Sequence, residues 1–254
     1  MTTETDTDVQ AALLIIGDEI LSGRTKDANL SYLAVWLNEV GIQLSEVRVV
    51  PDIEEEIAAA VNALRSKFDY LFTTGGIGPT HDDITVDSVA AAFGVPVVVH
   101  PEAYRRMAEY YGEENFTEAR KRMTRVPEGG ELIDNPVSIA PGIRIENVFI
   151  MAGVPKIMQS MLEGIRAHLR TGRKVWAQSL TVHAAESKIA EGLGKIQEEH
   201  PGTSIGSYPF YGQGYGANIV IRSADKDAID AAMGAVMNLC DAMGFDMDHP
   251  TAID

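Results

Sequence analysis

The sequence predicts an α/β protein: a three-layer α/β/α unit on a mostly parallel sheet, followed by a small α+β domain. Three observations predict it. Strand-like and helix-like patterns alternate through the first two thirds of the chain, the order that builds a parallel sheet covered on both faces. The first of these patterns, Ala11-Ala12-Leu13-Leu14-Ile15-Ile16, is a continuous apolar run, as expected of a strand buried on both sides. Beyond Lys174 the order changes to strand, helix, strand, strand, helix.

Residues 1–8 are polar and are expected to form a disordered tail. The larger unit is expected over 9–170. Its first strand stops at Gly17. Asp27 then precedes a helix with Leu30, Leu33, Ala34 and Leu37 on one face and Gly41 as its stop. Residues 43–50 alternate like a strand. Ile53, Ile57, Val61 and Leu64 mark a helix, and Tyr70-Leu71-Phe72 a third strand. Residues 85–93 read as helix, 95–100 as strand, and 101–125 as one or two polar helices. The stretch 126–155 is rich in turns, with short strands at 143–146 and 148–151. Pro155 opens a helix to about residue 170, at a position where its missing N–H costs nothing.

Residues 171–174 read as a linker. The small domain, 175–246, carries strands at 175–182, 204–208 and 218–222, with helices at 187–199 and through Ile229, Met233, Val236 and Cys240. The Gly- and Tyr-rich stretch 207–216 reads as a long hairpin rather than an interaction loop. Residues 247–254 read as a second tail.

With 254 residues, 45% of them hydrophobic and 23% charged, the chain can bury one large core and a smaller one. A net charge of −16 argues against nucleic-acid and anionic-membrane partners. No apolar run is long enough to span a bilayer, and the first residues are acidic, so the expected setting is the cytoplasm. The single cysteine, Cys240, excludes an intrachain disulfide and a multi-cysteine metal site, and its helical spacing makes it a core residue. Arg120-Lys121-Arg122 with Arg125 is the one basic cluster. It suits either a solvated helix face or contact with a small anion.

Thr73-Thr74-Gly75-Gly76-Ile77-Gly78-Pro79-Thr80-His81-Asp82-Asp83-Ile84-Thr85 is the most informative stretch. Glycines let backbone N–H groups approach an anion with no Cβ in the way. Paired carboxylates beside such a cradle repel phosphate unless a cation stands between them, which points to a phosphorylated ligand held with a divalent metal. The same loop could simply turn the chain and cap the helix at Thr85. In parallel sheets ligands bind beyond the carboxyl ends of the strands. Gly17-Asp18-Glu19-Ile20 meets that description independently, so Asp18, Asp82 and Asp83 are expected to converge on one edge. Asp27 and Asn29 open a helix and suit capping or ligand contact equally; Ser22 is similar. His81 is a weaker candidate, and Asn135 before Pro136 reads as a turn residue.

Gly17-Asp18-Glu19-Ile20-Leu21-Ser22-Gly23, Asp27-Ala28-Asn29 and the run from Thr74 to Thr85 together resemble the MoaB/Mog (molybdopterin-binding) domain. The Gly78-Pro79-Thr80-His81-Asp82-Asp83 form resembles its CinA-like branch, whose domain also occurs in FAD synthases. Asn135-Pro136, Ala140-Pro141-Gly142 and Gly153-Val154-Pro155 are similar to later elements of that branch. The tail domain resembles the small middle domain of CinA-like proteins, and the amidohydrolase domain of long CinA proteins has no counterpart in the sequence. Ala152 and Ile157 depart from the proline and acidic residue that long CinA proteins carry, and Asp87 replaces the usual glutamate.

The resemblance implies a MoaB/Mog-like fold and a pterin or nucleotide diphosphate as ligand. It also implies metal-dependent cleavage of pyrophosphates of the ADP-ribose or FAD type. Asp82 and Asp83 would hold Mg²⁺, Mn²⁺ or Co²⁺, and Asp18 or Glu19 would help bind it or act as general base. Gly75, Gly76 and Gly78 with Thr74 and Thr80 would cradle phosphate; Gly17, Ser22, Asp27, Asn29, Pro79 and Thr85 complete the expected ligand contacts. The alternatives are a module that binds molybdopterin or a dinucleotide without turnover, or molybdopterin adenylyl transfer. A homo-oligomer is expected.

Overall fold

The computed structural model describes residues 8–212 and 214–253. The expected tail at 1–8 therefore lies, up to residue 7, outside the described residues. The chain divides into two compact units between Gly172 and Arg173.

The first unit is built on a six-stranded sheet. Its strands are β1 (Val9–Ile16), β2 (Ile42–Val50), β3 (Tyr70–Thr74), β6 (Glu131–Ile133), β7 (Gly142–Ile145) and β8 (Val148–Met151). They lie in the order β2-β1-β3-β8-β7-β6. β1 pairs in parallel with β2 and β3, and β3 with β8; only β7 runs against its neighbours. Further helices are α1 (Asp18–Leu21), α5 (Pro101–Tyr111) and α6 (Glu118–Arg122).

Alternation along β1 sets the two cores. Leu13 and Ile15 point to one face with Phe72, Phe149 and Met151, under α2 (Asn29–Glu39) and α7 (Pro155–Ile165). Ala12, Leu14 and Ile16 point to the other with Leu71, Val148 and Ile150, under α3 (Glu54–Arg65) and α4 (Thr85–Phe93). Phe72 and Phe149, both fully buried, stack at 5.1 Å between ring centres, and burial of each contributes about 2–3 kcal/mol. The three-layer α/β/α arrangement follows directly from these two apolar faces.

One expected strand is placed differently. Residues 97–99 form β4 (Val97–Val99), but it pairs with β5 (Arg125–Pro127) in a separate two-stranded ribbon instead of joining the parallel sheet. Only His100 separates it from α5, and its partner β5 follows α6.

The second unit contains β9 (Trp176–Val182), α8 (Glu186–Glu199), β10 (Ser204–Gly212), β11 (Gly214–Ser223), α9 (Lys226–Met243) and β12 (Thr251–Ile253). Its sheet is antiparallel in the order β10-β11-β9-β12. Ile189, Leu193 and Ile196 of α8 and Ile229, Met233, Val236 and Cys240 of α9 cover Leu180, Val182, Ile219 and Ile221. Burial pushes the Cys240 thiol pKa up, in keeping with a core role. β10 and β11 pair from Ser204↔Arg222 to Gly212↔Gly214, so the Gly- and Tyr-rich stretch is a long hairpin. Of the tail expected over 247–254, the described residues are not free: β12 pairs with β9 through Ser179, Gln178 and Ala177, and Met247 bridges to Val182. β12 occupies the edge of β9 that β11 leaves open, which removes an exposed ladder. Among the described residues, no helix is long and apolar enough to cross a membrane.

Candidate functional site

The carboxyl ends of three adjacent parallel strands, β1, β3 and β8, carry the site. After β1, Gly17 donates to the Val50 carbonyl at 3.2 Å and starts α1. Asp18 N–H donates at 3.0 Å to the carboxylate of Asp52, which lies just past the end of β2. Partial burial pushes the Asp52 pKa up, and the charges of Asp18, Glu19 and Asp82 push it further, against the Asp18 hydrogen bond. Asp18, Glu19 and Asp82 thus lie close enough to act on a further acidic residue, Asp52. Asp52 escapes a sequence reading because its position depends on β2 lying beside β1. An acidic residue directly after a strand and a proline is the only signal that could have found it.

The glycine loop follows β3. Gly75 (φ +103°) and Gly76 (φ +65°) occupy the left-handed region, which side chains disfavour. A Cβ on Gly75 would run into the Ile16 carbonyl, and one on Gly76 into the Thr85 hydroxyl. Gly75 N–H donates to Met151 O at 3.2 Å, and Thr85 Oγ1 donates to Gly75 O at 2.9 Å. Thr85 is fully buried, so its side chain pins the loop to α4 and takes no part in the open site. At the loop tip the backbone N–H and hydroxyl of Thr80 both donate to Asp83 Oδ2, at 2.8 and 2.5 Å. The exposed Asp82 carboxyl, next to that hydroxyl, is held below its usual pKa. His81 itself is almost wholly exposed.

The third loop, Ala152 to Pro155, follows β8 and starts α7. Asn29 Nδ2 donates to the Gly153 carbonyl at 2.8 Å, tying the start of α2 to this loop. Asp27 accepts from Leu30 N–H at 2.7 Å and so caps α2. Between the three loops lies a cavity of about 440 Å³, within the size range of small-molecule sites. Of the expected residues, Glu19, Asp27, Asn29 and Thr74 line it, with Gly75, Gly76, Gly78 and Asp83. Gly17, Asp18, Ser22, Pro79, Thr80, Asp82 and Thr85 do not. Ser22 instead donates to Glu19 O at 3.3 Å, closing α1.

The basic cluster splits. Arg120 lies over the Tyr111 ring and Lys121 pairs with Glu118. Arg125 forms a two-pronged pair with Asp87 at 3.0 and 2.9 Å, and Arg122 reaches the Asp83 carbonyl at 3.4 Å. Asn135 is a turn residue, accepting from Val137 and Ser138 N–H and donating to Ala140 O. Ala152 and Ile157 pack against the α2–α7 core, which explains an apolar side chain at both positions.

Among the described residues, no three His, Cys, Asp or Glu side chains group closely enough to hold a metal ion. An all-protein cage is therefore not on offer. One or two carboxylates are, and that is the complement Mg²⁺ takes from a protein when phosphates and water supply the remaining oxygens. The donor set thus fits a divalent cation that arrives with a phosphorylated ligand.

Residues 12–171 match the family described as "Probable molybdopterin binding domain", and residues 174–246 match "FAD synthase, middle domain". A protein of Archaeoglobus fulgidus is 34% identical over 221 residues, which is 87% of this chain and 93% of that one. A CinA-like protein of Desulfosudis oleivorans is 33% identical over 77% of this chain, which spans about half (51%) of that longer relative. The solved structure of a CinA protein of unknown function from Thermoplasma acidophilum superposes with a TM-score of 0.60. It is 32% identical and covers 63% of this chain and 98% of its own.

Proposed function

This chain belongs to the molybdopterin-binding domain family in its CinA-like form, followed by an FAD synthase middle domain, and on that premise we propose that it hydrolyses a nucleotide or pterin diphosphate with a divalent metal. The carrying observation is a glycine cradle with left-handed backbone beside a carboxylate pair, on the same sheet edge as Asp18, Glu19 and Asp52. Backbone N–H groups of the glycine loop bind phosphate oxygens, with no side chain between them and the ligand. Asp82 and Asp83 would hold the cation. When bound, the cation neutralises phosphate charge and makes the phosphorus more electrophilic. Asp18, Glu19 or Asp52 accepts the proton of the attacking water. Its oxygen forms the new P–O bond as the anhydride P–O bond breaks, and the leaving phosphate carries away the electron pair. Cytoplasmic location and self-association are part of the same reading.

The test is to incubate the full chain with ADP-ribose, FAD or NAD and Mg²⁺, Mn²⁺ or Co²⁺, following AMP release. Release that falls at least about 100-fold in Asp82→Asn/Asp83→Asn supports hydrolysis. No release from any of the three, or release unchanged in the double variant, refutes it. A second reading, ligand binding without turnover, is favoured by the engagement of Asp83 with Thr80. Tight pterin binding with no cleavage would support it.

A further inference from the structure

Asn29 sits at the inner wall of the cavity, 3% exposed, and its Oδ1 is shielded from solvent with no hydrogen-bond partner. Its amide orientation is fixed. Gly153 O can only accept, so Nδ2 must face it and Oδ1 must face elsewhere. Thr74, on the same wall and 2% exposed, has an equally orphaned hydroxyl. Buried polar atoms are almost always paired, and an unpaired one costs free energy that a bound group can recover.

A lone carbonyl acceptor repels phosphate oxygens and calls for a hydrogen-bond donor, such as the N–H of an amino group. The flanking side chains Ile20, Ile77 and Ala152 are apolar and suit the faces of a flat ring. The charged groups Glu19, Lys26, Asp27 and Asp83 line the same cavity, together with the glycine loop. We infer that the Asn29–Thr74 wall reads the amino edge of the ligand's heterocycle, so that the site selects an amino-substituted ring over its oxo counterpart. The inference rests on the proposed diphosphate ligand and adds the determinant that chooses its base. Amino-bearing purine nucleotides and pterins share this chemistry, and the experiment separates them.

The test is titration calorimetry of the full chain with ADP against IDP, and with pterin against lumazine. The amino member of the bound pair should bind between about 5-fold and 150-fold tighter, the range expected when an analogue leaves a buried acceptor unpaired. Preference within the purine pair identifies a nucleotide, and within the pterin pair a pterin. Asn29→Ala should bring the two members of the pair to within about 2-fold, and Thr74→Val, which leaves the Asn29–Gly153 bond in place, should narrow the preference as well. Thermal melts establish that both variants are folded. Equal binding of both members in the native chain overturns the inference, even where ADP-ribose is hydrolysed. Binding of no member overturns it together with the reading on which it rests.

Discussion

Replacing Gly75 by alanine tests the architecture of the cradle directly. Its φ of +103° is unfavourable for any side chain, at a cost of about 1–3 kcal/mol. The new methyl would also collide with the Ile16 carbonyl, a backbone atom that cannot swing aside. Neither side can yield cheaply. Ile15 pairs with Thr74 in the β1–β3 ladder, and Gly75 N–H is bonded to Met151 O of β8. Forcing the two apart costs a further 1–3 kcal/mol or so. Gly94 supplies the control. It ends α4 at φ +67° with open space where its Cβ would be, so Gly94→Ala carries backbone strain alone, about 1–2 kcal/mol. Scanning calorimetry should put the first-unit transition of G75A roughly 10 °C below the native chain and that of G94A roughly 4 °C below it. A G75A transition no lower than that of G94A would refute the steric argument.

Asp52→Asn should stabilise the protein at neutral pH. The folded-state pKa of Asp52 lies above its ordinary value, so ionisation costs stability once the pH exceeds that folded pKa. The gain should shrink as pH falls and vanish near pH 3.8, the ordinary value, where the native aspartate is protonated as well; a gain that persists there would contradict the electrostatic cause. Arg125→Gln removes a partly buried two-pronged pair and leaves Asp87 unpaired, so chemical denaturation should register a loss of about 1–2 kcal/mol. Residues 8–172 expressed alone should melt cooperatively, since their two apolar clusters contain no residue of the second unit. Deleting residues 247–254 should lower the melting temperature of the second unit by exposing the β9 edge, whereas a true tail would leave it unchanged.

The sequence made the strong elements legible because their patterns are long. The run at residues 11–16 matches a strand buried on both faces, and it supplies both cores. The glycine loop was visible because left-handed backbone and close approach each demand glycine. β5, β6 and β12 were not, since three residues hold too little periodicity to register. Asp52 was hidden for another reason: sheet order, not local pattern, brings it to Asp18. Thr85 and Ser22 fit the ligand motif in sequence, yet their hydroxyls serve the loops that frame the cavity.

The order in which the walls of the cavity are synthesised has a consequence for folding. β1, β2 and β3 are laid down early, but β8 and the Ala152–Pro155 loop emerge from the ribosome much later, after the β4–β5 ribbon and the turns that follow it. Until β8 docks, Gly75 N–H lacks Met151 O, Asn29 lacks Gly153, and one side of the sheet's centre is open to water. Ligand affinity is thus gained in one late step, and a nascent chain that has made every glycine and aspartate of the loop still has no pocket. A ligand present during synthesis would act on this last docking event, pulling it to completion by mass action.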